Sequence, residues 1–68
     1  MKSLTETKIA AALINETILS DSQIWKLRDE LVSLNLRGKM SDRRFERLNE
    51  GLDVLVERMA NAESLLAS

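Results

Sequence analysis

The sequence predicts an all-α protein: three helices, the last one long, with a helical hairpin turning at Gly38 and an oligomeric assembly. Three observations predict it. Apolar residues recur in alternating steps of three and four, as Ile24, Leu27, Leu31 and Leu34, and again as Phe45, Leu48, Leu52, Leu55, Met59, Ala62 and Leu66. That spacing lays an apolar seam along one side of each helix, which is what a helix needs to pack on another. Proline is absent, glycine occurs twice, and Trp25 and Phe45 are the whole aromatic content, a composition suited to helices joined by short turns and not to sheets. Finally, 68 residues without a cysteine or a histidine make one small domain, 1–68, that neither a disulfide nor a zinc site staples. A chain this short buries only ~60% of its unfolded surface, and oligomerisation is the remaining remedy for its thin core.

The first helix is expected near residues 4–19. Ser3-Leu4-Thr5-Glu6 reads as a capping box, with the serine oxygen accepting from an orphan amide and the glutamate reaching back. Its apolar residues form no single stripe. At about 100° per residue, Ile9 and Leu13 share a face, Ile14 and Ile18 lie on another, and Leu19 falls apart from both. A helix apolar on several sides is touched on several sides. We expect it wedged between the hairpin and a further surface, such as a second copy of the chain.

The second helix, near 21–37, has to start anew, because running its seam backwards would place the polar Ser20, Thr17 and Glu6 on it. Ser20 caps, Gln23 completes a second capping box, and Leu19 with Ile24 take the positions of a hydrophobic staple. Gly38 supplies the left-handed residue that commonly closes a helix. The third helix, near 42–67, starts at the cap Ser41, flanked by a Met40–Phe45 staple. Its seam stays in phase across Gly51, so it is read as continuous despite a cost of about 1 kcal/mol relative to alanine. A glycine there also suits close approach by a neighbouring backbone.

The two arms of the hairpin are unequal. With the chain turning at Gly38, Leu34 faces the level of Phe45, and Ile24 reaches only about Leu55. The apolar residues beyond then need a partner, and Leu55, Met59, Ala62, Leu65 and Leu66 become the candidate interface. Trp25, beside Ile24 at the border of the seam, is expected to cover the core edge against the first helix. Its alternative use is as an interface anchor, so it joins the same set.

Charge is segregated along the chain. Between Arg37 and Arg47 five cations (Arg37, Lys39, Arg43, Arg44 and Arg47) meet two carboxylates, a net of plus three, whereas from Leu48 onward the net is minus three. Arg43 and Arg44 in a first helical turn oppose the helix dipole. They are expected to be balanced by acids at helical spacing, such as Glu46 and Glu50. The five cations are otherwise a candidate patch for an anion, an acidic partner, or the acidic end of another copy.

The turn also carries a resemblance. Gly38-Lys39-Met40-Ser41-Asp42, with Phe45 seven residues after the glycine and Leu52 beyond, resembles the short C-terminal (SHOCT) helical hairpin motif over residues 34–52. That motif usually reads as glycine, two apolar positions, threonine or serine, acidic residues and phenylalanine. This chain departs from it at Lys39 and at Arg43-Arg44, and continues well past its end. The resemblance implies oligomerisation or protein attachment, not catalysis.

Composition narrows the function. Without histidine the commonest general base and metal ligand are missing, no serine has a plausible base, and no glycine-rich phosphate loop occurs. The carboxylates Glu46, Glu50, Asp53 and Glu57 line a helical face and are expected to be solvated. No enzyme, no cofactor and no metal site is therefore expected. The run Ile9–Ile14 is too short for a membrane span and has no cleavage site after it, so a soluble, cytoplasmic protein is expected, with no membrane partner. The expected function is protein–protein association, by a homo-oligomer or with another protein, as a small adaptor, regulator or inhibitor. The alternative is a small DNA-binding or transcription-regulating helix-turn-helix-like protein using Arg37–Arg47. The net charge of minus one and the lack of an aromatic platform speak against it.

Overall fold

The computed structural model describes residues 3–67. Three helices account for most of them: α1 (Leu4–Ile14), α2 (Asp21–Leu36) and α3 (Asp42–Ala67). No strand occurs among the described residues.

Each helix begins where its capping chemistry dictates. The Glu6 amide donates to Ser3 Oγ (3.2 Å) and the Ser3 amide donates to Glu6 Oε2 (3.3 Å), which closes the first capping box. Ser20 and Gln23 repeat the exchange at α2. At α3 the Arg44 amide donates to Ser41 Oγ (3.2 Å), while Met40 before the cap is buried and Phe45 after it is half-buried.

The first helix ends five residues short of Leu19. Glu16 adopts a left-handed backbone (φ 53°), its amide donates to the Leu13 carbonyl, and the Thr17 amide donates to that of Ala12. Those two bonds make a Schellman motif. The same pair closes α2, where Gly38 (φ 72°) donates to Asn35 and Lys39 donates to Leu34. One stop is spelled with glycine and the other with glutamate, so only the second is visible as a stop in the sequence.

Cross-helix bonds fix the topology. Arg28 Nη2 meets Asp53 Oδ1 at 2.9 Å and Asn35 Nδ2 meets Asp42 Oδ1 at 2.8 Å, so α2 runs antiparallel to α3. Arg44 Nε meets Glu6 Oε1 at 2.7 Å near the start of α1, and Arg58 Nη1 donates to the Leu13 carbonyl near its end. Hence α1 runs parallel to α3, and the order is up, down, up. Thr5 Oγ1 donates to Glu30 Oε2 (2.7 Å) and ties α1 to α2, the pair that touches least.

The core lies between the three: Ile9, Ala12, Ile24, Leu27, Leu31, Met40, Leu52 and Leu55. Leu13, Leu19, Leu34, Phe45, Leu48, Val56 and Met59 pack around it half-buried. The helix α3 is continuous through Gly51. A Cβ at Gly51 would come within 3.0 Å of Leu13 Cδ1 and 3.7 Å of Ile9 Cγ2. The close neighbours are thus side chains of α1, not a backbone.

Candidate functional site

Because α3 has 26 residues against 16 in α2, it outruns its antiparallel partner by about 15 Å at 1.5 Å per residue. The surplus lies at the end of the bundle where α1 stops, the 15–20 connection crosses and α2 begins. That end exposes a set of large apolar side chains. Leu65 is 78% and Leu66 88% exposed, Trp25 57%, Ile14 80% and Ile18 53%. Among the described residues, the opposite end exposes only Leu4 and Leu36 of the large hydrophobics, and Val32 and Val54 lie between. Burying a leucine is worth ~1.5–3 kcal/mol, so this one end holds several kcal/mol of apolar surface left in water.

The candidate interface residues divide. Leu65 and Leu66 are exposed, and Ala62 and Met59 are half-buried, Met59 against the core. Leu55 is fully buried and belongs to the core, which corrects its assignment to an interface. The reason is α1: running parallel to α3 as far as Leu13 and Arg58, it closes the third side of the bundle above the level that Ile24 reaches. Trp25 is also corrected. It is not among the side chains packed on the core and is 57% exposed. It lies one residue past Ile24, roughly 100° around the helix from that buried side chain. Ile14 and Ile18 were legible only as the second apolar face of the first helix. The early stop after Ile14 is what brings both into the open at this end.

At the other end, Arg37, Lys39, Arg43, Arg44 and Arg47 are all exposed. Arg43, Arg44 and Arg47 line a groove of about 450 Å³ between α1 and α3, together with Glu6, Ala10 and Leu48. Glu6 is the residue that sequence reasoning missed. Its side chain is nearly buried, and it holds Arg44 from α1, 38 positions away in sequence. The expected balance from Glu46 and Glu50 is not what anchors this arginine. No local spacing signals such a pair, since the partners meet only once α1 has docked. In the groove the carboxylate of Glu6 also offsets the cations around it, which makes the patch a poorer anion receptor than its arginine count suggests.

A second groove, about 420 Å³, opens between α1 and α2. Its lining mixes the apolar Ala11, Ala12, Leu19 and Leu27 with exposed lysines, Lys8 from α1 and Lys26 from α2, and with the half-buried carboxylate Glu30. The stripe Glu46, Glu50, Asp53 and Glu57 is exposed, and Asp53 within it pairs with Arg28. No group of three or more metal-ligating side chains gathers among the described residues. No described helix is long and apolar enough to cross a membrane. No family model matches the chain, and comparison with curated proteins and with solved structures finds no match.

Proposed function

We propose that this chain acts by protein–protein association, as a small oligomerising adaptor, regulator or inhibitor built on the hairpin that turns at Gly38, and not as an enzyme. One observation carries the reading: Leu65, Leu66, Trp25, Ile14 and Ile18 are exposed together at one end of the bundle. Apolar side chains scattered singly over a surface need no explanation, but five large ones gathered at one end of the bundle support an association surface there. The overhang of α3 supports the same reading, because the helix extends beyond α2 with Leu65 78% and Leu66 88% exposed. The resemblance of residues 34–52 to the SHOCT hairpin points the same way. Nucleic-acid recognition through Arg37–Arg47 is the weaker reading, since Glu6 occupies Arg44 and lowers the local potential.

Light scattering coupled to gel filtration tests it. The intact chain, of 7.7 kDa, is expected to travel as a dimer or larger. Replacing Leu65→Ser and Leu66→Ser together should return it to a monomer with unchanged helicity. An intact chain that stays at 7.7 kDa across micromolar to millimolar concentration would refute self-association.

A further inference from the structure

We infer that the exposed end of α3 in one copy seats in the α1–α2 groove of a second copy, and that the exchange is reciprocal about a two-fold axis. The inference rests on the association reading above and names its partner surface.

Charge complementarity chooses the occupant. The groove sets the apolar Ala11, Ala12, Leu19 and Leu27 between two exposed lysines, Lys8 and Lys26, and its one carboxylate, Glu30, accepts from Thr5 Oγ1, which leaves the lining net plus one. The overhang after Met59 carries Glu63 next to Leu65 and Leu66, and the exposed Glu57 stands two residues before Met59. An apolar helix end with a carboxylate beside it is what a lysine-flanked apolar groove recognises. Ala11 and Ala12 in the lining leave room for a helix to come close. The residues after Met59 extend about 12 Å at 1.5 Å per residue, enough to lay two turns of helix into the groove.

Position chooses the geometry. Asn15, Thr17 and Leu19 line the groove, so it opens at the same end of the bundle as the overhang. Two copies meeting end to end can therefore each give a tail and take one, which closes the assembly as an isologous dimer. The arginine-lined groove between α1 and α3 begins at Ser41, at the far end. A tail placed there would build an open head-to-tail chain, and its leucines would meet guanidinium groups instead of those apolar residues.

The chain has no cysteine, so introduced ones report contacts without background. Single variants Ala11→Cys and Ala62→Cys, mixed and oxidised, are expected to give chiefly the mixed 11–62 cross-link. Dominant 11–11 or 62–62 cross-links would overturn the groove assignment in favour of a face-to-face contact. Reversing the groove charges, Lys8→Glu with Lys26→Glu, should weaken the dimer about tenfold, and adding Glu57→Lys with Glu63→Lys should restore it. Circular dichroism of each variant guards against mere unfolding. If Leu65→Ser with Leu66→Ser dissolves the dimer while lysine reversal leaves its affinity unchanged, association stands and the groove is wrong. A chain monomeric at every concentration removes both.

Discussion

Replacing Gly51 by alanine pits two effects of similar size against each other, and the sign of the result reports whether α1 lies where the structure puts it. In an isolated helix, alanine gains about 1 kcal/mol over glycine, from lower backbone entropy in the unfolded chain. Here the added Cβ would stand 3.0 Å from Leu13 Cδ1 and 3.7 Å from Ile9 Cγ2. The first distance is a few tenths of an ångström inside ordinary van der Waals contact. The atom in the way is the end of a half-buried, flexible side chain, so Leu13 yields by shifting and loses part of its packing, at a cost of about 1 kcal/mol. Gly51→Ala should therefore be close to neutral. In a Leu13→Ala background the obstacle is gone, and the same substitution should stabilise by about 1 kcal/mol, a coupling of that size between positions 13 and 51. A bulky Gly51→Ile has no such escape, because Ile9 is fully buried behind Leu13, and it should cost about 1–3 kcal/mol. Urea denaturation followed by circular dichroism, at one fixed chain concentration so that association does not shift the midpoint, measures the four variants beside the parent chain. If Gly51→Ala alone gave the full 1 kcal/mol of stabilisation, with no coupling to Leu13, α1 would not be packed on α3 at Gly51.

Two helix stops of one geometry but different residues make a second pair of expectations. Glu16→Gly should stabilise by up to about 1 kcal/mol, since glycine holds the left-handed conformation without a Cβ clash, and Gly38→Ala should cost about 1 kcal/mol in thermal or chemical unfolding. At the Glu6–Arg44 pair the two partners should not be equivalent. Arg44→Ala leaves a nearly buried carboxylate without its cation and should cost about 1–3 kcal/mol, and adding Glu6→Gln to that variant should recover part of the loss; no recovery would mean that Arg44 matters through packing alone. Trp25→Ala should leave the stability of the isolated bundle within about 0.5 kcal/mol, because the ring is largely in water; a loss above 2 kcal/mol in unfolding of the monomeric Leu65→Ser, Leu66→Ser variant would contradict its position.

How much of this was legible in the sequence depends on whether the signal is local. The three caps, the seam of α2 and α3, and the continuity through Gly51 all rest on spacings of three to seven residues, and all were readable. The end of α1 was not, because Glu16 takes a conformation for which glycine or asparagine is the usual mark. The partner of Arg44 was not, because Glu6 reaches it only through the parallel docking of α1 on α3, which no periodicity encodes. That docking also decides which apolar residues are core. Leu55 is covered by it, whereas Leu65 and Leu66 lie beyond its reach. A periodic seam tells which side of a helix is apolar, and the lengths of its neighbours tell how far that side is covered. The parallel docking of α1 moved Leu55 into the core, and the early stop of α1 after Ile14 gave the second apolar face of Ile14 and Ile18 its place at one end of the bundle.

The helix α1 has a standing different from the other two. At 11 residues it is shorter than the ~12–15 that a helix needs to persist alone in water. Its ties to α3 join residues 38 and 45 positions apart, through Glu6 with Arg44 and Leu13 with Arg58. Closing such loops is slow and entropically costly compared with zipping α2 against α3 across a five-residue turn. The hairpin should therefore form first and α1 dock last, which makes α1 the first element to leave as well. Its amides should exchange with solvent through a local opening well below the global free energy of unfolding. Departure would mean melting, not merely swinging away, and would uncover Leu52 and Gly51 in one step. The folded end of the chain thus has a built-in order of assembly, with a segment whose helicity is conditional on the surface beneath it.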